Sequence, residues 1–106
     1  MSIKVEDLRV GNYLTRYGEK VKLVEIGIKH NNDTNYYLRC ENDHCGFWID
    51  QYKPIPLTDK DVKQYGHFNL IKVNDEYFVC FGNYKTQVKF LHELQNYYYL
   101  VNHEEL

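Results

Sequence analysis

Apolar and polar positions along the chain read as short strands punctuated by turn residues, with helical spacing only in the second half. A turn signal at Gly11-Asn12 precedes a strand over residues 13–17, and Gly18-Glu19 ends it. Lys20-Val21-Lys22-Leu23 then alternates in one phase and Val24-Glu25-Ile26-Gly27-Ile28 in the opposite one. One inserted residue near Leu23-Val24 restores the inward face, so the pattern predicts a β-bulge there. Residues 30–35 form a polar loop rich in asparagine. Residues 36–40 and 46–50 read as a hairpin joined by Glu41-Asn42-Asp43-His44-Cys45.

The second half starts with Tyr52-Lys53-Pro54-Ile55-Pro56-Leu57, which is extended because each proline steers the residue before it out of helical space. Thr58 opens a short helix, with Asp61 three residues on in the manner of a capping box, and Gly66 closes it. Strands over 68–73 and 76–81 flank a hairpin turn at Asn74-Asp75, and a further strand covers 85–88. Over 90–101, Leu91, Leu94, Tyr98 and Val101 share one side of a helix with Tyr97 beside them, a side expected to cover the sheet. Together these predict one α+β domain over residues 1–106: a small antiparallel sheet, a short central helix and a C-terminal amphipathic helix. A curled or barrel-like sheet is the alternative.

Composition changes this picture in one respect. Eleven tyrosines, five phenylalanines and one tryptophan raise the aromatic share to 16%, and tyrosine suits both half-buried strand positions and binding surfaces. The formal charge of −2 removes the overall attraction to phosphate that most nucleic-acid binders use. No apolar run approaches the roughly 20 residues of a membrane span, and the N-terminus does not read as a signal peptide, so a cytoplasmic protein is expected.

The chemistry is concentrated in Arg39-Cys40-Glu41-Asn42-Asp43-His44-Cys45-Gly46-Phe47-Trp48. Cys40, His44 and Cys45 have nearly the spacing of half a zinc site, but no second close pair supplies the remaining ligands. The favoured reading is a turn, with Cys40 inward, Cys45 facing it and His44 solvated. No metal or other cofactor is expected. A phosphate loop, a nucleophilic serine elbow and a His-Glu-x-x-His helix are all missing, and the reading is noncatalytic. Tyr37 and Arg39 share a strand face and Trp48 lies on the strand expected to pair with it, a small aromatic and basic platform that suits RNA or single-stranded DNA. Tyr99 and Leu100 leave the core side of the last helix and are candidate anchors for a partner protein.

Asp7-Leu8-Arg9-Val10-Gly11-Asn12, then Tyr52-Lys53-Pro54-Ile55-Pro56-Leu57-Thr58 with Tyr65-Gly66-His67-Phe68, then Leu91-His92-Glu93-Leu94-Gln95-Asn96-Tyr97-Tyr98 and a closing Glu104-Glu105-Leu106 occur in that order. The set resembles a group of small uncharacterised proteins encoded by phages and mobile elements of Bacteroidota. Asn102-His103 departs from the group's Thr-Gly before Glu-Glu-Leu. The resemblance implies an accessory protein that binds a host protein and inhibits a defence enzyme, such as a CRISPR effector with its guide RNA, as anti-CRISPR proteins do. The alternative is a small domain that binds RNA or single-stranded DNA.

Overall fold

Two of the chain's tight turns run through a left-handed backbone. Tyr17 (φ 53°) and Gly18 (φ 80°) make one two-residue hairpin turn, and Asn74 (φ 51°) and Asp75 (φ 65°) make another. A computed structural model describes residues 3–28, 36–66, 69–102 and 104. The polar loop expected over 30–35 lies outside the described residues, as does Phe68. The strands are β1 Tyr13–Arg16, β2 Glu19–Ile28, β3 Tyr36–Cys40, β4 Phe47–Trp48, β5 Leu70–Val73, β6 Glu76–Phe81 and β7 Tyr84–Val88. The helices are α1 Asp59–Tyr65 and α2 Leu91–Asn102. Every strand pair is antiparallel, and the chain is α+β as expected.

One expectation is corrected: the strands form two sheets, β1-β2-β3-β4 and β5-β6-β7. Two compact units accompany them, Met1–Ile55 and Pro56–Leu106.

In the first unit, β2 is shared between two pairings. Its first half pairs with β1 and its second half with β3, and the register slips between Leu23 and Glu25, at the predicted bulge. The bulge bends β2, so the sheet curls. The curl is closed further by Thr15 and Lys53, whose backbones exchange two hydrogen bonds of 2.9 Å. Inside lie Leu14, Leu23, Leu38, Cys40 and Tyr52. Burying each leucine stabilises the unit by roughly 2–3 kcal/mol. Tyr52 stays inside because its hydroxyl donates to the Leu38 carbonyl at 3.0 Å.

The fourth strand is shorter than residues 46–50. Only Phe47 and Trp48 pair with β3, and Ile49–Gln51 turns into a 3₁₀ helix. That tight turn carries the chain from β4 to the extended Lys53.

In the second unit, Asp61 accepts hydrogen bonds from the Thr58 amide (2.7 Å) and hydroxyl (3.1 Å), the predicted box at the start of α1. Asp59 in the same turn accepts from Lys72 Nζ and the Tyr77 hydroxyl, both at 2.9 Å, tying α1 to β5 and β6. These two bonds, the Lys72 one foremost, hold the Asp59 carboxyl below its ordinary range. In the first turn of α2, Glu93 accepts from the Lys89 and Phe90 amides at 2.8 and 3.0 Å. Its buried residues are Leu91, His92, Leu94 and Gln95, with Tyr98 half-buried. Val101, expected on the buried side, is 41% exposed. The buried stripe is rotated toward His92 and Gln95, which an apolar count does not register.

A candidate ligand-binding hollow on the first sheet

Strand alternation decides which side chains of β3 face outward. Leu38 and Cys40 are fully buried, so Tyr37 and Arg39 lie on the opposite face. Register then places Trp48 directly across from Tyr37 and Gly27 across from it on the other side. The three residues proposed from sequence as a platform, Tyr37, Arg39 and Trp48, therefore line one open hollow of about 590 Å³, together with Glu25, Gly46 and Gln51.

The floor of this hollow is set by two glycines. A Cβ at Gly27 would collide with the outer end of the Tyr37 ring, and one at Gly46 with its inner edge. The ring therefore occupies the space that a side chain at either glycine would fill. Glycine inside a strand costs about 0.5–1 kcal/mol relative to alanine, and the packed ring offsets that cost.

The polar groups are Arg39 and Glu25, which face each other at 3.8 Å, longer than a hydrogen bond. Their side chains are 37% and 46% exposed. Gln51 is held by the Tyr17 hydroxyl, which donates to its Oε1 at 3.1 Å.

The turn preceding β4 is fixed from the inner side. Asp43 accepts from the Cys40 amide at 3.2 Å and from both Arg16 nitrogens, at 3.0 and 3.1 Å. The Arg16 guanidinium lies 3.9 Å from the Phe47 ring centroid, on the core side of the same strand that carries Trp48. Asn42, at φ 74°, supplies the left-handed residue of the turn.

This geometry separates the metal candidates. Cys40 is buried, whereas Cys45 and His44 are exposed and line the hollow. Among the described residues no three His, Cys, Asp or Glu side chains gather where they could hold a metal ion. Burial pushes the Cys40 thiol up, and burial beside that thiol pushes Tyr52 up to about 12. Both groups are held neutral inside the sheet, the reverse of an activated nucleophile.

Tyr99 and Leu100 lie on the last turns of α2, 39% and 71% exposed, with no part in the hollow's lining. Glu25, Gly27, Gly46 and Gln51 belong to the site but were not expected from sequence. The available signal was glycine within strand-like runs, which marks a close approach of another group. No protein-family model matches the chain, and no curated protein or solved structure matches it. Among the described residues no helix is long and apolar enough to cross a membrane.

Proposed function

We propose that the chain is a noncatalytic protein-binding module that presents the Tyr37–Trp48 hollow to a partner. The observation that carries this reading is the convergence of Tyr37, Trp48 and Arg39 on one open surface of the first sheet. Tyrosine, tryptophan and arginine are the residue types that dominate binding energy at protein interfaces. Residues 1–55 carry eight Lys and Arg against eight Asp and Glu. That balance leaves no net attraction to a phosphate backbone. The sequence resemblance supplies the partner class: a host defence enzyme such as a CRISPR effector, inhibited by a phage or mobile-element accessory protein.

A second reading, a binder of RNA or single-stranded DNA, is favoured by the pairing of Tyr37 and Trp48 in one hollow, two aromatic side chains of the kind on which bases stack. Capture from a Bacteroidota lysate on the immobilised chain, with and without nuclease, separates the two. A protein partner retained after nuclease and lost from Trp48→Ala is expected. Loss of the partner on nuclease treatment moves the function to nucleic acid.

A further inference from the structure

We infer that the second unit pairs with a second copy of this chain through the outer edge of β7, joining the two β5-β6-β7 sheets edge to edge about a twofold axis. The direction of the backbone groups comes first. The Cys80 amide donates to the Asn69 carbonyl at 3.1 Å, so the backbone of Cys80 points toward β5. Direction alternates along an antiparallel ladder, so Tyr77, Val79 and Phe81 of β6 point toward β7, and their partners Val88, Thr86 and Tyr84 point back. The N–H and C=O groups of Lys85 and Gln87 therefore face away from the sheet. Both residues are exposed, and among the described residues no strand lies beyond β7. Further along, the Lys89 carbonyl already accepts from the Leu57 amide at 3.0 Å.

Charge then selects the register. Twofold antiparallel pairing through these groups sets Lys85 opposite Lys85, Gln87 opposite Gln87, or Lys85 opposite Gln87. The first brings like charges face to face, which is destabilising. The second does the same, because it places Lys85 across from Lys89, and it also needs the carbonyl that Leu57 occupies. The third avoids both faults. It pairs Lys85 with Gln87 of the second copy, Thr86 with Thr86, and the 80% exposed Tyr84 with Val88. Threonine pairs and aromatic pairs with β-branched residues are among the favourable cross-strand combinations. Pairing ends at Tyr84, where the hairpin turn begins, so Leu57 beside Lys89 is not displaced. Lysine on an edge strand discourages pairing in general, and here it removes the wrong registers.

The helix above the edge adds an apolar contact. The Tyr97 hydroxyl donates to Thr86 Oγ1 at 2.9 Å, which places that flank of α2 over β7. Val101, one turn on, continues the flank at 41% exposed, and Leu100 beside it is 71% exposed. A twofold axis normal to the sheet at Thr86 puts both copies of α2 on the same face, so these flanks approach each other. The contact is small and partly polar, in the class of weak and reversible interfaces. Its dissociation constant is expected in the upper micromolar range, and the dilute chain is monomeric.

Sedimentation equilibrium of the full chain, from low micromolar to millimolar concentration, tests this. A reversible dimer is expected. Gln87→Pro removes an outward N–H, breaks no bond within the sheet, and abolishes association, whereas Gln87→Ala keeps it. Gln87→Glu sets a carboxylate across from Lys85 twice in each dimer and tightens association several-fold at low salt. Gln87→Lys weakens it by a similar factor, and Lys85→Glu combined with Gln87→Lys restores it. Circular dichroism reports whether each variant folds, and the charge variants carry the test if Gln87→Pro does not. A chain monomeric at every concentration, a dimer that persists in folded Gln87→Pro, or a Gln87→Glu dimer no tighter than the natural one overturns the inference. The result is independent of the Tyr37–Trp48 hollow, whose lining lies in the first unit.

Discussion

Arg16 on β1 holds both carboxylate oxygens of Asp43, in the turn after β3, at 3.0 and 3.1 Å. The two side chains are 17% and 14% exposed, and the guanidinium also rests on Phe47. A bidentate pair of this kind is stronger and more directional than an ordinary surface ion pair. It fixes the backbone on which Gly46 and Trp48 follow, so one inner-face contact shapes the outer hollow. Asp43→Ala leaves the guanidinium unpaired and is expected to cost about 2–3 kcal/mol. Urea unfolding followed by Trp48 emission measures it; an unchanged midpoint removes the pair from the account.

Gly27 and Tyr37 are expected to be strongly coupled. Gly27→Ala in the natural background drives a methyl group into the ring and costs roughly 1–3 kcal/mol. With Tyr37→Ala the obstruction is gone, and the same Gly27→Ala change stabilises the strand by up to about 1 kcal/mol. A four-protein cycle of urea midpoints reads this reversal of sign. Additive effects would show that the ring does not occupy the space above Gly27.

Alkaline pH tests the buried Tyr52. Its hydroxyl titrates near 10 unfolded and is pushed up to about 12 in the folded chain, first by burial and then by Cys40. The folded state therefore holds its proton where the unfolded state has lost it. The contribution is complete below pH 10 and fades between about 10 and 12, by roughly 2 kcal/mol. Circular dichroism in urea across this range detects the slope, and Tyr52→Phe flattens it, whereas an equally steep slope in the variant assigns the effect to other groups.

The exposed end of α2 is expected to be silent in stability. Leu100 is 71% exposed, so Leu100→Lys changes the unfolding free energy by less than about 0.5 kcal/mol. The thermal midpoint of the variant checks this directly. A drop of several degrees would mean that the chain itself covers the residue.

What the sequence disclosed and what it concealed follow from the range of each interaction. The bulge near Leu23 and Glu25, the hairpin turns and the Asp61 box are local, and phase, turn residues and spacing reveal them. Tyr37, Arg39 and Trp48 could be grouped because strand parity is also local. The roles of Gly27, Gly46 and Gln51 depend on neighbours brought together by register and by the 3₁₀ turn, which shortened β4 against expectation. On α2 the expected Leu91 and Leu94 are buried and Val101 is exposed, and the added burial of His92 and Gln95 escaped notice because apolar periodicity cannot weigh polar residues. The division into two sheets was hidden because Pro54 to Leu57 reads equally well as a strand or as a connector.

The exchange of hydrogen bonds between Thr15 and Lys53 has a consequence for self-association. Those backbone groups of β1 are already occupied, so a foreign strand finds no template at that position. In β5-β6-β7 the outer members have no further strand beside them among the described residues, and Ile71, Val73 and Tyr84 are exposed. Concentrated or partly unfolded protein should begin to aggregate through the second sheet, and a charged substitution such as Ile71→Lys is the natural safeguard.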